Sequence, residues 1–249
     1  MKDLKSMMNL SNTQFVILSC DSYLESRIET LRETWAKETN HVFLIDSSLE
    51  EIGDTVGYNT PKNYDGIQEK YINFFLQYDF SKFEYYFFTD DDTFVILKNL
   101  SREKVPSSDE SFCIGRHLHL SETCMDKWGN NTHYPLHKIR GKESSLPLDY
   151  PSGGSGFILS RSSCNSIKEY LKNTESSEIP RSAHSDVSIG FWMRSVGIKF
   201  IPSNNLWWST PEVLLENTWE KYNNDGTELT FHYVSSDRMV DLNKKYNEE

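Results

Sequence analysis

The sequence contains no apolar run long enough to cross a lipid bilayer. Among its 249 residues, no window approaches the ~18 apolar residues that a membrane span needs. The segment Met1–Leu10 also lacks the apolar core of a signal peptide. We therefore expect either a cytosolic chain or one from which an anchor has been trimmed.

Positive charge is scarce relative to negative charge. Lys and Arg number 26 against 37 Asp and Glu, which gives a net charge of −11 and a pI of about 5.2. This balance argues against nucleic acid as a partner and against an anionic membrane surface, because both require clustered Lys and Arg. A nucleoside diphosphate can still bind if a divalent cation offsets the like charges.

Cysteine is scarce as well, with four residues and no CxxC pair, which argues against a zinc site. Cys113 and Cys124 bracket a polar loop and could form a disulfide in an oxidising lumen. Four reduced thiols are the equally open alternative. The sequence alone therefore does not fix the compartment.

The first half of the chain alternates predicted strands and helices. Short apolar runs predict strands over Phe15–Ser19, His41–Asp46 and Tyr85–Thr89. Apolar residues at helical spacing predict helices over Leu24–Lys37 and Gly66–Tyr78. This order predicts an α/β fold with a mostly parallel central sheet, in which ligands bind beyond the carboxyl ends of the strands.

The second half continues without an internal repeat or a low-complexity linker, so a single domain over 1–249 is the simpler prediction. Its middle, Ser107–Tyr150, reads as loops with short strands. The predicted elements that follow from there are strands over Phe112–Gly115, Phe157–Ser160 and Lys199–Ile201, and helices over Ser163–Lys172 and Asp186–Val196.

Three adjacent carboxylates, Asp90, Asp91 and Asp92, come directly after the third predicted strand. They repel one another, so something positive should lie near them. Hard divalent cations such as Mg²⁺ and Mn²⁺ bind through one or two carboxylates together with substrate phosphates. A solvated acidic turn is the alternative, but the apolar runs on both sides make simple exposure to solvent hard to achieve.

Two polar positions downstream are further candidates. Gly153 and Gly154 lie in a glycine-rich turn that permits close approach of another molecule, or they form a plain tight turn. The Lys-Ser/Thr that completes a P-loop is absent after them. Asp186 opens a predicted helix, either as an N-cap or as a general base.

Three basic or imidazole side chains complete the candidates. His232 lies in an apolar run and is either a core residue or a metal ligand. Arg27 and Lys70 are candidate diphosphate contacts, with ordinary surface charge as the alternative.

Five segments together resemble glycosyltransferase family 31, the β1,3-glycosyltransferases that include Fringe and core 1 β1,3-galactosyltransferase. Any one match is weak, but the five occur in the family's order and span nearly the whole chain. The matching segments are Arg27–Trp35, Phe87–Val95, Tyr150–Ser160, Ser185–Gly190 and Phe231–Val234.

The resemblance implies a single GT-A domain, which is Rossmann-like and binds a nucleotide sugar. It further implies a UDP-sugar donor, Mn²⁺ with Mg²⁺ as the alternative ion, and inversion at the anomeric carbon. By position, Asp92 and His232 would bind the metal, and Asp90 and Asp91 would hold the ribose and the donor sugar. Asp186 would be the base.

The glycine turn at Gly153 and Gly154 would, by the same resemblance, face the donor sugar or the acceptor. The sequence departs from the family at Ser185, where a second acid is usual, and at Trp207 and Trp208, where the Fringe branch has a metal-binding histidine. The departure favours the core 1 branch. The two tryptophans then become candidates for stacking on the acceptor, with core packing as the alternative.

The expected reaction is transfer of a hexose, galactose foremost, to a hydroxyl of a glycan or glycoprotein in a β1,3 linkage. A Fringe-like transfer of N-acetylglucosamine to fucose and a non-catalytic chaperone or lectin on the same fold are the alternatives. The resemblance implies the Golgi lumen if an anchor has been trimmed, and the cytoplasm otherwise. The oligomeric state stays open, a homodimer included.

Overall fold

The computed structural model describes residues 6–47, 53–62, 64–121, 139, 141, 145–182, 184–212 and 226–248. Thirteen strands lie within these residues. In chain order they are β1 (Ser6–Met7), β2 (Thr13–Leu18), β3 (Asn40–Ile45), β4 (Thr55–Gly57), β5 (Tyr85–Asp90), β6 (Phe94–Val95), β7 (Lys104–Val105), β8 (Phe112–Gly115), β9 (His117–Leu120), β10 (Leu148–Pro151), β11 (Phe157–Ser160), β12 (Lys199–Pro202) and β13 (Thr230–Phe231).

Seven of these strands form the central sheet, in the order β12-β8-β11-β5-β2-β3-β4. Strand β2 is parallel to β3 and β5, β3 is parallel to β4, and β8 is parallel to β12. Only β11 runs antiparallel to its two neighbours in this sheet. The predicted α/β class and mostly parallel central sheet are therefore confirmed.

Six α-helices flank the sheet within the described residues. They are α1 (Glu29–Glu33), α2 (Tyr64–Gln77), α3 (Leu97–Leu100), α4 (Arg161–Asn173), α5 (Ser185–Ser195) and α6 (Ser236–Tyr246). The predicted helices over 66–78, 163–172 and 186–196 are confirmed to within two residues at each end. Helix α4 begins early because the Ser160 hydroxyl accepts the Ser163 amide proton at 3.1 Å and caps it.

The predicted single helix over Leu24–Lys37 is wrong in detail. The structure has a π-helical turn at Leu24–Ile28, then α1, then a 3₁₀ turn at Trp35–Glu38. The break falls at Thr34, whose backbone leaves the helical region at φ −116° and ψ −130° and whose hydroxyl donates to the Thr30 carbonyl at 2.7 Å.

The sheet is covered on both faces by apolar side chains, as its near-continuous apolar strands require. Successive residues of β5 point to opposite faces. Phe88 stacks between Phe75 at 5.6 Å and Phe157 at 5.1 Å on one side. Phe87 meets Phe15 at 5.5 Å on the other. Two packed layers thus hold β5 rigid up to its carboxyl end.

Two remaining predictions concern the membrane and the cysteines. No helix in the described part of the chain is both long and apolar enough to cross a bilayer. Cys20, Cys113 and Cys164 are free thiols. Cys124, the predicted partner of Cys113, lies outside the described residues.

Candidate active site

The acidic triplet lies at the carboxyl end of β5, as predicted. Asp90 is the last residue of the strand, and Asp91 and Asp92 form the turn that leads into β6. The Asp91 amide donates to the Leu18 carbonyl at 3.1 Å, and the Thr93 amide closes the turn onto Asp90 at 3.2 Å. The triplet therefore sits on backbone fixed by the neighbouring parallel strand.

Asp91 is held by protein groups at both of its carboxylate oxygens. The Arg27 guanidinium donates to Oδ1 at 2.6 Å, and the Ser19 hydroxyl donates to Oδ2 at 2.6 Å. Burial raises the pKa of Asp91, while these two hydrogen bonds act against the rise. Arg27 also lies over the Tyr23 ring at 4.3 Å. Asp91 and Arg27, both predicted to bind the donor, thus form an ion pair with each other.

The segment around Trp35 braces the turn from the opposite side. The Trp35 indole donates to the Thr93 carbonyl at 3.0 Å. The Thr93 hydroxyl in turn donates to the Gly154 carbonyl at 2.7 Å. One chain of hydrogen bonds therefore joins the first resemblance segment, the acidic turn and the glycine turn.

Asp90, Asp92 and His232 offer three ligand atoms to one point, all within 4.8 Å of one another. His232 Nε2 lies 3.1 Å from Asp92 Oδ1 and 3.8 Å from Asp90 Oδ2. Octahedral coordination with bonds of about 2.1 Å separates adjacent ligands by about 3.0 Å. Two carboxylates with one imidazole are a donor set for Mn²⁺ or Mg²⁺. The residues therefore fit such an ion, with Asp90 added to the predicted pair.

The imidazole of His232 is packed tightly between two neighbours. A Cβ added to Gly154 would lie 2.0 Å from His232 Cε1, which is far inside contact distance. On the other side the ring stacks on Tyr233 with a centroid distance of 3.8 Å. Tyr233 has a φ of 59°, a rare conformation for a residue with a side chain and a form of strain often found at functional sites.

The electrostatics of these three residues are consistent with a cation between them. Burial raises the pKa of Asp90 to about 7; His232 opposes the rise and the carboxylates of Asp92 and Asp91 add to it. Burial alone would lower the pKa of His232, but hydrogen bonds to Asp92 and to the Trp208 carbonyl raise it. A partly buried acidic cluster of this kind is stabilised by a bound cation.

Asp186 is not the N-cap of its helix, because His184 occupies that position. Its Oδ1 accepts the Val187 amide proton at 2.9 Å and its Oδ2 accepts the Gly153 amide proton at 3.2 Å. Burial raises the pKa of Asp186, and the Gly153 hydrogen bond limits the rise. The N-cap alternative is therefore wrong for Asp186. A raised pKa makes a carboxylate a stronger base, which suits proton transfer.

Tyr71 of α2 is a member of the site that the sequence did not reveal. Its side chain is buried, and its ring packs against Phe88 at 5.9 Å. Burial raises the pKa of the Tyr71 hydroxyl well above its usual value, and the charges of Asp90 and Asp186 raise it further. Tyr71 is therefore a neutral hydroxyl close to both carboxylates.

Lys70, a predicted diphosphate contact, is engaged by the protein itself in this structure. Its side chain is buried, and its ammonium group donates to the Ser19 carbonyl. Burial lowers the pKa of Lys70, although Asp46, Cys20, Asp91 and Asp90 oppose the change. The diphosphate contact of Lys70 stays a prediction, and in the structure its ammonium group binds the Ser19 carbonyl close to Asp90 and Asp91.

The two adjacent tryptophans have different environments. Trp207 is 1% exposed and packs in the core, so its prediction as an acceptor contact is wrong and core packing is what the structure has. Trp208 is 42% exposed and can still stack on a sugar. Tyr233, whose ring stacks on His232, is 62% exposed.

The glycine turn also has a more specific place than predicted. Gly153 contacts Asp186, where an added Cβ would lie 3.3 Å from the Asp186 Cβ, and Gly154 contacts His232. Two consecutive glycines therefore bring the predicted base and the predicted metal ligand to adjacent positions. No pattern in the sequence indicated these contacts, because they join residues 33 and 78 positions apart.

Comparison with known proteins bears on the family of the chain. Glycoprotein-N-acetylgalactosamine 3-beta-galactosyltransferase 1 of Xenopus laevis is 24% identical over 190 residues, which is 73% of this chain and 44% of that protein. The chain thus spans less than half the length of this curated relative. The crystal structure of the galactosyltransferase LgtC with donor and acceptor sugar analogues aligns with a TM-score of 0.46 and 9% identity, over 94% of this chain and 96% of that one.

A structural similarity as low as that to LgtC has no weight in assigning chemistry. The family model described as Fringe-like, in contrast, matches residues 8–249. That range contains the acidic turn, the glycine turn, Asp186 and His232. The chain belongs to the Fringe-like family of glycosyltransferases.

Proposed function

We propose that the chain is an inverting, metal-dependent transferase that moves a hexose from a UDP-sugar to a hydroxyl of a glycan or glycoprotein. The observation that supports this most is the convergence of Asp90, Asp92 and His232 beside Asp186 at the carboxyl end of β5. UDP-galactose is the leading donor and a β1,3 linkage the leading product, in keeping with the name of the Xenopus laevis relative.

The residues of this chain would divide the work in the following way. Asp90, Asp92 and His232 hold the ion, which when bound offsets the negative charge that develops on the leaving UDP. Arg27 opposes the rise in the pKa of Asp91 and orients its carboxylate through a hydrogen bond. Asp186 accepts the proton of the acceptor hydroxyl as that oxygen forms a bond to C1 of the sugar and the bond from C1 to UDP breaks.

The raised pKa of Asp186 suits this role. Its carboxylate is fixed by two backbone amides, so it meets the acceptor hydroxyl in one orientation. The Trp208 carbonyl accepts a hydrogen bond from His232, and the Trp208 indole is exposed. An acceptor sugar stacked there would lie next to the metal ligands.

The donor is tested by a screen of UDP-galactose, UDP-N-acetylglucosamine and UDP-glucose for hydrolysis with Mn²⁺ and with EDTA. We expect UDP-galactose to be hydrolysed fastest and EDTA to abolish the reaction. Preference for UDP-N-acetylglucosamine would support the Fringe-like alternative. Absence of any Mn²⁺-dependent hydrolysis would support a non-catalytic chaperone or lectin and would contradict the proposal.

The base is tested by Asp186→Asn. A positioned base contributes about 10²–10⁴-fold in rate, or about 3–5 kcal/mol, so turnover should fall by that factor while UDP affinity measured by calorimetry stays unchanged. Asp237→Asn is a matched control, because Asp237 is also the second residue of a helix that begins with Ser-Asp but is not one of the side chains that converge with Asp90, Asp92 and His232. Turnover of the Asp186 variant near the wild-type rate would refute the assignment.

A further inference from the structure

A second cluster of metal-binding side chains lies on the hairpin formed by β9 and β10. His117 and His119 are two residues apart on β9 and so point to the same face of the strand. Asp149 on β10 is paired directly with His119 in the antiparallel register. The three side chains are therefore brought together by strand pairing alone.

The opposite face of the hairpin explains why these residues point outward. Leu120 and Leu148 pair with each other and are buried in the core below the sheet. Their burial fixes the register, because a slip of β9 by one residue would expose Leu120 and turn both histidines toward the core. His117 is further restrained by contact with the Phe200 ring at 5.6 Å.

The ligand atoms of the cluster converge on one point. His117 Nε2 lies 2.9 Å and His119 Nδ1 lies 2.7 Å from the same oxygen of Asp149, and all three ligand atoms lie within 4.8 Å of one another. Tetrahedral coordination with bonds of about 2.0–2.1 Å separates ligands by about 3.4 Å. Movements of about 0.5 Å in side chains that are roughly half exposed would create that geometry.

We propose that His117, His119 and Asp149 form a second metal site, which binds a divalent transition-metal ion of the zinc class and leaves a fourth position for water. The donor set supports this class. Two imidazoles and one carboxylate suit Zn²⁺, whereas the two carboxylates and one imidazole beside β5 suit Mn²⁺ or Mg²⁺. No motif in the sequence indicates this site, because it uses no cysteine and its ligands come from two strands about 30 residues apart.

The position of this site on the hairpin gives the ion a structural consequence. The ion would join β9 to β10 at Asp149, four residues before Gly153 and its hydrogen bond to Asp186. Helix α5, which bears Asp186, packs on β10 through Gly190, where an added Cβ would lie 2.5 Å from the Tyr150 Cβ. A bound ion would therefore brace the strand that leads into the glycine turn.

The test is Zn²⁺ titration of the full chain with the other metal site removed by Asp92→Asn and His232→Gln. We expect one Zn²⁺ per chain with a dissociation constant in the micromolar range, and a rise in melting temperature on addition of Zn²⁺. Mn²⁺ should bind far more weakly, following the general order of divalent affinities. Saturation only at millimolar Zn²⁺ would overturn the proposal.

Single variants in that background identify the ligands. His119→Gln and Asp149→Asn should each weaken Zn²⁺ binding by about tenfold or more and remove the rise in melting temperature. Asp109→Asn, at another exposed aspartate, is the matched control and should leave both unchanged. Equal Zn²⁺ affinity in the His119, Asp149 and Asp109 variants would refute the ligand assignment.

One further measurement guards against a background that fails to fold. In the otherwise unaltered chain, His119→Gln should reduce the number of bound Zn²⁺ ions by one, and an unchanged number would refute the proposal. None of these readouts depends on transferase activity. Failure of the proposed function and failure of this site are therefore distinguishable.

Discussion

Substitution of Gly154 by alanine should damage the metal site while leaving the fold largely intact. The added Cβ would lie 2.0 Å from Cε1, 2.3 Å from Nε2 and 2.4 Å from Nδ1 of His232. Ordinary contact requires about 3.4 Å or more, so the ring must retreat by about 1.4 Å. The Gly154 backbone does not have a positive φ, so alanine introduces a clash and no backbone strain.

We expect Gly154→Ala to weaken metal binding, because the His232 ring cannot move away from the new methyl group and keep its contacts. His232 Nε2 lies 3.1 Å from Asp92, and its ring also hydrogen bonds to the Trp208 carbonyl. A displacement of about 1.4 Å breaks this alignment. Loss of one oriented ligand typically reduces metal affinity about 10–100-fold. Overpacking of this size costs folding about 1–3 kcal/mol, an upper bound where the clashing group can swing away.

The assay is Mn²⁺ titration by calorimetry, together with the Mn²⁺ concentration needed for half-maximal UDP-sugar hydrolysis. Gly153→Ala is the matched control, since its Cβ would meet Asp186 at 3.3 Å and requires a shift of only a few tenths of an ångström. It should leave Mn²⁺ affinity near the wild-type value. Wild-type Mn²⁺ affinity in Gly154→Ala would refute the reasoning, because His232 would then not be a ligand held by this glycine.

Two further predictions concern acid stability and acceptor binding. Burial acts to raise the pKa of Asp54, but hydrogen bonds from Arg32 and His41 prevail and lower it to about 2 from 3.8. The ionised Asp54 therefore stabilises the folded state fully above about pH 4, and this stabilisation is lost as the pH falls toward 2. Asp54→Asn should remove about 1–2 kcal/mol of the pH-dependent free energy of unfolding, measured by urea titration. An identical pH profile for the variant and the wild type would contradict this. Trp208→Ala should raise the acceptor KM several-fold without changing acceptor-free hydrolysis, while Trp208→Phe retains most of the stacking; an unchanged KM would rule out this contact.

The predicted fold was correct wherever the sequence has a strong period or a continuous apolar run. Strand β5 is an unbroken apolar segment, and helix α2 has a clear apolar face, so local pattern and tertiary structure agree. The segment from Leu24 to Lys37 failed because its break depends on Thr34, whose hydroxyl competes for a backbone carbonyl. Helical spacing of apolar residues does not register such competition.

The sequence predicts which residue types form the site, but not the distances between them or how deeply each side chain is buried. The order of the acidic triplet, Asp186 and His232 along the chain indicated a shared site before their distances were known. The environment of Lys70 could not be read, because a buried polar residue on an amphipathic helix looks like its exposed neighbour. The burial of Tyr71 follows from the apolar face of α2, but its closeness to Asp90 and Asp186 does not. Trp207 and Trp208 are adjacent on an irregular segment, so no period decided which of them is buried.

The glycine turn explains why the predicted base and the predicted metal ligand can act in one reaction although they arrive from separate parts of the chain. Gly153 fixes Asp186 by an amide hydrogen bond, and Gly154 fixes His232 by the absence of a side chain. The Gly154 carbonyl also accepts the Thr93 hydroxyl, so the same turn is anchored to the acidic triplet. The glycine turn thus contacts Asp186, His232 and the residue after the acidic triplet. We therefore expect a shift of this turn to change metal affinity and proton transfer together.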